Sequence, residues 1–88
     1  MNTMTNRETL CDMGYEDSIV FENPDYDSAI IGVTDDERVV YDYDKMVAFL
    51  EDNESMSDEE AVDFISYSTM RALPYAGEGA PIIMYSIQ

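Results

Sequence analysis

The first part of the chain carries no sustained hydrophobic period. Its apolar residues are scattered among polar groups, so the pattern indicates neither a strand nor a long helix. We predict that residues 1–16 form a loose N-terminal arm, with at most one short helical turn. Residues 17–88 are predicted to form a single α+β domain.

Three β-rich runs follow the arm. The first, residues 18–21, ends at the turn signal Asn23-Pro24, where the proline also removes a backbone donor. The second, residues 28–33, and the third, residues 38–43, are separated by the four turn-forming residues 34–37. This spacing predicts a β-hairpin.

The third run has one apolar face. Val39, Tyr41 and Tyr43 alternate with their neighbours, so this face of the sheet needs to be covered. A helix that begins after a cap at Asp44 would cover it, because the apolar side chains of residues 46–50 form a single stripe.

The clearest local signal in the chain predicts a second helix. Ser57 and Glu60 form an S-x-x-E capping box, followed by apolar residues at helical spacing. We expect this helix to run to about Arg71 or Leu73 and to be stopped by Pro74. The final run, residues 81–87, is too apolar to remain exposed to solvent, so it predicts a last strand.

Together these elements define the predicted fold class. It is a small two-layer α+β domain, a mostly antiparallel sheet with two helices on one face, in the order βββααβ. The chain of 88 residues with 45% hydrophobic content is long enough to build one core. Aromatic residues and methionines at these spacings indicate core packing, so we assign no cofactor.

The charge balance narrows the function classes. Twenty Asp and Glu against four Lys and Arg, with no His, give a formal net charge of -16. This excludes direct binding of nucleic acid, which needs basic side chains to neutralise phosphates, and it argues against an anionic membrane as a partner. Without His there is no Ser-His or Cys-His pair, so we predict that the protein is not an enzyme.

The single cysteine, Cys11, has no intramolecular disulfide partner and indicates a reduced, intracellular thiol. The sequence starts without an apolar run of signal-peptide length, and no stretch approaches the ~20 apolar residues of a membrane span. We expect a cytoplasmic protein.

Two pairs of aspartates raise the question of a metal site. Asp25 and Asp27, like Asp42 and Asp44, have the D-x-D spacing that begins many calcium loops, but neither pair continues with the required glycine and terminal glutamate. Paired catalytic carboxylates would need a substrate cleft, for which the chain has little room beside a core. We therefore assign no metal ligand and no catalytic residue.

The excess of negative charge is large for a chain of this size. A compact fold would have a diameter of about 30 Å, and about 30 Å of duplex DNA carries on the order of 18 charges. Solubility alone needs a net charge of only about 2–8. A solubilising coat is the simpler interpretation of the acidic groups, but this magnitude favours a cationic partner.

The natural cationic partner is a basic nucleic-acid-binding protein, either a nuclease or a regulator. Carboxylates on a rigid scaffold can take the phosphate positions of its groove, because arginine forks bind both groups. The candidate partner-binding residues are the densest carboxylates: Asp25, Asp27, Asp35, Asp36, Glu37, Glu51, Asp52, Glu54, Asp58, Glu59 and Glu60.

Several segments of the chain resemble short acidic proteins of bacterial prophages and other mobile elements, over residues 14–85 or so. The segments that carry the resemblance are residues 27–33, 40–46, 59–65, 71–75 and 81–83. The family has no assigned enzymatic activity, and the resemblance implies a genetic context in which small acidic inhibitors of restriction and CRISPR nucleases are encoded. It fits an anti-CRISPR or anti-restriction inhibitor that mimics nucleic acid.

Two alternatives remain open at this point. The chain could be a non-enzymatic adaptor or homodimerising module, antitoxin-like, with contacts made by the sheet face and by Ile83, Tyr85 and Ile87. Arg71 and Tyr75 could form a small contact patch, although an arginine in a last helical turn also suits the helix macrodipole.

Overall fold

The computed structural model of the chain describes residues 5–15, 17–22 and 24–87. Positions 1–4, 16, 23 and 88, which belong to the predicted arm, the predicted turn and the end of the predicted domain, lie outside the described residues. The radius of gyration is 12.9 Å, close to the roughly 12 Å expected for a compact chain of this length.

The predicted hairpin is present. Strands β1 (Ile30–Val33) and β2 (Val39–Asp42) pair in antiparallel orientation, with a register shift within β1. Val39 and Tyr41 are fully buried and their neighbours in β2 are half-buried, as the alternation predicts. The hairpin therefore supplies one wall of the core.

The third strand makes the sheet mixed. Strand β3 (Ile82–Met84) lies beside β2 and runs parallel to it, which gives the strand order β1-β2-β3. The prediction of an antiparallel sheet was wrong for this pair. The helices that separate β2 from β3 carry the chain back to the end of the sheet where β2 begins, and a crossover of this kind produces a parallel pair.

The predicted first strand, residues 18–21, does not form. The backbone N–H of Phe21 donates to the hydroxyl oxygen of Tyr41 at 3.0 Å, and the ring of Phe21 packs on Tyr41 with centroids 4.7 Å apart. This β-rich run is thus held by an aromatic side chain instead of a strand ladder. The predicted order βββααβ is wrong, because two strands precede the central helices and another helix precedes the strands.

That first helix lies within the segment predicted as an arm. Helix α1 (Asn6–Asp12) begins with a capping box in which Thr5 and Glu8 satisfy each other's backbone N–H groups. Its Leu10 is buried in the core. The T-x-x-E spacing that forms this cap is visible in the sequence, but too few apolar residues follow it to predict a helix.

Helix α2 (Tyr43–Asn53) follows β2 without a loop. Its cap is Asp42, whose carboxylate accepts the N–H of Lys45 at 3.2 Å, and not Asp44 as the sequence suggested. Tyr43 is therefore the first residue of the helix instead of a strand residue. The predicted apolar stripe is confirmed, and its buried members are Met46, Val47 and Leu50.

The second predicted helix is longer than expected. Helix α3 (Asp58–Phe64) continues into a π-helical segment (Ile65–Met70) and then into helix α4 (Arg71–Ala76), so that one helical segment covers residues 58–76. Both hydrogen bonds of the predicted capping box at its start are present. We call residues 58–76 the long helical segment.

Pro74 lies inside α4 and does not stop it, contrary to the prediction. A proline ring normally clashes with the carbonyl four residues before it. Here that residue is Met70, the last of the π-helical segment, where the winding changes. The helix ends instead at Gly77, whose φ of 74° favours glycine. Arg71 consequently begins α4 and does not lie in its last turn.

The core is organised around Tyr26. This residue has no solvent exposure and a left-handed backbone with φ of 49°. Its ring lies within 6.5 Å of the rings of Phe21, Tyr41 and Phe49, centroid to centroid. Its hydroxyl shares a hydrogen bond of 2.7 Å with Thr69 Oγ1 of the π-helical segment. Tyr26 thereby connects the hairpin, α2 and the long helical segment.

Burial raises the pKa of both core tyrosines. It raises the pKa of Tyr41 to about 12, the hydrogen bond from Phe21 and the charge of Arg7 opposing the shift only in part. Burial likewise raises the pKa of Tyr26, against a smaller effect of its bond to Thr69. A tyrosine with its ordinary pKa of about 10 is already neutral at physiological pH, so the shift only extends the pH range over which both phenols stay protonated.

Substitution of Thr69 by Val tests the role of the Tyr26 hydroxyl. The variant keeps the side-chain shape but leaves a buried hydroxyl without a partner, so we expect the free energy of unfolding to fall by about 1–3 kcal/mol. Urea denaturation followed by circular dichroism measures the change. Ser68→Ala, at the exposed neighbouring position, is the control and should change stability little. Equal stability of Thr69→Val and the wild type would contradict this assignment.

Candidate acidic interaction surface

Nine of the eleven carboxylates singled out from the sequence are solvent-exposed, as a surface that binds a partner requires. The remaining two, Asp25 and Asp27, are half-buried. The exposed nine fall into two groups along the chain, one where α2 ends and α3 begins and one at the turn of the hairpin.

Asp25 and Asp27 are occupied by the fold itself. The two carboxylate oxygens of Asp27 accept the backbone N–H groups of Asn6 and Arg7, each at 2.9 Å, which ties α1 to the segment before β1. Asp25 accepts the N–H of Asp27 at 3.1 Å. These hydrogen bonds give both residues a structural role beside the one proposed from the sequence.

We use the name acidic corner for the group at the junction of α2 and α3. Its carboxylates lie within the ten positions 51–60, all are exposed, and no Lys or Arg occurs in the sequence between Lys45 and Arg71. Ser55, with a left-handed φ of 55°, helps the chain turn from α2 into α3. The members of the acidic corner are Glu51, Asp52, Glu54, Asp58, Glu59 and Glu60.

The acidic corner joins two helix ends of opposite polarity. Asp58 and Glu59 stand in the first turn of α3, where the helix dipole favours negative charge. Glu51 and Asp52 stand in the last turn of α2, where the dipole disfavours it and where no basic side chain compensates. Each of these costs about 0.3–1 kcal/mol on general grounds, so helix stability does not account for their presence.

The turn of the hairpin holds the other group. Thr34 organises it: its N–H donates to the Arg38 carbonyl at 2.8 Å, and its hydroxyl accepts the Arg38 N–H at 3.0 Å and donates to Asp36. Glu37 takes a left-handed φ of 66°. With its backbone so constrained, the turn presents Asp35, Asp36 and Glu37 to solvent in a defined arrangement.

The fold adds two acidic residues to this group that sequence reasoning did not select. Asp17 and Glu78 line a cleft of about 290 Å³ together with Glu37. Asp17, Glu37 and Glu78 are far apart along the chain, so no local spacing could have associated them. We call the combined group the acidic tip: Asp17, Asp35, Asp36, Glu37 and Glu78.

Arg38 is the cation nearest to the acidic tip in sequence. Its Nε donates to the carbonyl oxygen of Ala80 at 2.8 Å, which joins the hairpin to the segment that leads into β3. Arg38 as a whole is half-buried. Arg38 also lines a cleft with Asp36 and Glu78, so its positive charge lies beside the acidic tip and offsets part of the negative charge there.

The acidic corner and the acidic tip lie at the two ends of the long helical segment. The corner contains its first residues, whereas the tip borders the loop 77–79 that follows its last. Nineteen helical residues at the α-helical rise of about 1.5 Å each give a length of at most about 28 Å, since the six π-helical residues rise less. The long helical segment therefore separates the two groups.

The acidic residues do not converge into a metal site within the part of the chain that the structure describes. No three of its Asp, Glu or Cys side chains are placed to hold one ion. In the two D-x-D pairs, Asp27 and Asp42 are helix-capping acceptors. Cys11 is an exposed free thiol. Among residues 5–15, 17–22 and 24–87, every helix is too short or too polar to cross a membrane.

The residues of the alternative, adaptor interpretation lie around the end of β3. Tyr85 is 58% exposed and Ile87 fully exposed, whereas Ile83 is half-buried against the core. The ring of Tyr85 lies 4.8 Å from that of Tyr43, and its hydroxyl donates to the sulfur of Met70 at 3.8 Å. Tyr85 is thus partly held by its own chain.

Comparison with known proteins adds no further information. No protein-family model, curated protein or solved structure matches this chain. Its function must therefore be inferred from the charges and the geometry.

Removal of one charge at each helix end in the acidic corner tests the dipole argument. Glu51→Gln and Glu59→Gln both neutralise one exposed glutamate, so general charge repulsion is relieved in each. We expect Glu51→Gln to be the more stable variant by about 1 kcal/mol, because only Glu59 is favoured by its helix end. Thermal or urea unfolding at low salt measures this difference. Equal stabilities, or the reverse order, would show that the helix dipoles do not govern these positions.

Proposed function

We propose that this protein is a small acidic inhibitor of the phage or mobile-element type, which acts in the cytoplasm by occupying the nucleic-acid-binding surface of a basic host protein. The observation that carries the proposal is the concentration of exposed carboxylates in two groups at the two ends of the long helical segment, which is at most about 28 Å long. The long helical segment joins these groups and holds them at a fixed separation.

The separation suits a surface built for nucleic acid. Consecutive phosphates of one DNA strand are spaced by about 3.4 Å along the axis, so about 28 Å corresponds to roughly eight steps. The acidic corner and the acidic tip would take two sites along such a groove, with Arg side chains pairing bidentately to carboxylates as they do to phosphates. Bound in this way, the protein would exclude DNA or RNA by occupying its place.

The overall charge would assist the encounter. A net charge of -16 attracts a cationic groove over a distance and raises the association rate, an effect that salt weakens. The positions of Glu51 and Asp52 support the same proposal, because residues kept at a helix end that disfavours them are typical of sites where function is retained against stability. The resemblance to acidic prophage proteins supports the genetic context.

A second candidate function is a homodimerising or adaptor module, antitoxin-like, that uses the exposed side chains of Tyr85 and Ile87. An apolar interface of this kind persists at high salt, whereas a complex held by carboxylates dissociates. A salt-resistant dimer in size-exclusion chromatography would therefore favour this candidate.

A pull-down with matched variants tests the inhibitor proposal. The wild type, a corner variant (E51Q/D52N/E54Q) and a control variant (D12N/E22Q/D44N) are immobilised and exposed to host lysate at about 50 mM salt; both variants lose the same three charges. We expect the wild type and the control to retain a basic nucleic-acid-binding protein, released by about 200 mM salt or by added duplex DNA. The corner variant should retain much less.

Three results would contradict the proposal. Equal loss by the corner and control variants would indicate a general charge effect. Retention that neither salt nor DNA changes would argue against the electrostatic mechanism. A retained set without any nucleic-acid-binding protein would favour the adaptor function.

A further inference from the structure

A shallow apolar groove of about 400 Å³ lies beside the acidic corner. Its apolar lining comes from Met56, Phe64 and Tyr67, and its rim carries the carboxylates of Glu60 and Asp63. Phe64 and Met56 are half-buried against the core, whereas Tyr67 is 70% exposed. The groove therefore has an apolar floor, one aromatic side chain that stands free, and an anionic edge.

The arrangement follows from the winding of the helix. Residues 60, 63, 64 and 67 are three or four apart and thus share one helix face, while Met56 reaches it from the turn after α2. The π-helical segment begins between Phe64 and Tyr67. Such wide turns are rare and occur frequently at functional sites. Tyr67 has little contact with the core, so folding alone does not explain an aromatic residue there.

We propose that this groove binds a basic amphipathic segment of the partner protein. An apolar side chain of that segment lies between Phe64 and Tyr67, and its flanking Lys or Arg side chains pair with Glu60 and Asp63. The inference rests on the proposed function and names the part of the partner that the acidic corner engages.

The negative charge around the groove determines which kind of segment can bind in it. The groove borders the acidic corner, and its own charged rim residues are carboxylates. An acidic segment would be repelled, and a neutral apolar one would leave these carboxylates partly desolvated and unpaired. A second copy of this chain, with its net charge of -16, is disfavoured for the same reason. A cationic segment with an apolar anchor satisfies both the floor and the rim.

The carboxylates of the rim and the apolar floor of the groove contribute to binding in ways that salt can distinguish. Pairing of the rim carboxylates weakens with salt, whereas burial of an apolar anchor against Tyr67 does not. Exposed tyrosines that become buried at the centre of an interface are typical hot spots, whose truncation weakens binding by about tenfold or more. Loss of Tyr67 should therefore remove the part of the affinity that resists salt.

The test uses two fluorescein-labelled peptides of about 14 residues and equal charge, a length that forms about four helical turns. One combines Lys with Leu at helical spacing, and the other has Ser in place of each Leu. Affinities for the full-length protein are measured by fluorescence anisotropy at low and high salt. The variants are Tyr67→Ala and the control Met13→Ala, which removes a 62% exposed apolar side chain at the end of α1, outside every proposed contact.

We expect the Lys/Leu peptide to bind the wild type about tenfold more tightly than the Lys/Ser peptide. Tyr67→Ala should abolish this difference and leave the weaker binding of the Lys/Ser peptide unchanged, whereas Met13→Ala should change neither. Asp63→Asn should weaken the binding of both peptides at low salt. Because Tyr67 is largely exposed, its loss should leave the circular dichroism spectrum unchanged.

Other outcomes separate this inference from the proposed function. If both peptides bind equally and with the same salt dependence, or if Tyr67→Ala and Met13→Ala behave alike, the groove assignment is overturned while the proposed function stands. If neither peptide binds at low salt, both are overturned. Tight binding of the Lys/Leu peptide that neither salt nor the corner variant affects would leave the apolar floor in use but contradict the electrostatic function and the basic occupant.

Discussion

The packing of this molecule depends on the buried side chain of Tyr26 and on its hydrogen bond to Thr69. Around this side chain meet an aromatic residue from the irregular segment 17–22, one from β2 and one from α2, while the hydroxyl reaches the long helical segment. A chain with a net charge of -16 repels itself, so a small core must offset this repulsion. A tyrosine with φ of 49° at its centre indicates that the surroundings hold the backbone firmly.

The same core determines where the carboxylates can lie. Because the long helical segment packs along the core through Ala61, Ile65 and Thr69, its two ends project toward solvent, and each end meets an acidic group. The spacing between the acidic corner and the acidic tip is thus a consequence of helix length. The sequence determines that the surface is negatively charged. The fold gathers the carboxylates into two separate groups, the acidic corner and the acidic tip, and places an apolar groove beside the acidic corner.

Local signals were predictable and long-range ones were not. The capping box at Ser57 and the stripe of α2 depend on residues a few positions apart, and both are present. The role of residues 18–21 was mistaken, because the donor of Phe21 is satisfied by a side chain twenty positions away. Pro74 was misjudged because the preceding π-helical segment leaves no sequence signal. Of the acidic tip, only the residues within the turn could be recognised; Asp17 and Glu78 join them through tertiary packing.

The central claim is that the acidic groups form the binding face, and an interface map tests it most directly. Amide chemical shifts of the ¹⁵N-labelled protein are compared with and without the basic protein retained from lysate. We expect the chemical shifts to change mainly in residues 51–60 and 34–37 and at Tyr67, and to stay the same at the end of β3. Changes centred on Tyr85 and Ile87, with the acidic corner and the acidic tip unperturbed, would contradict it.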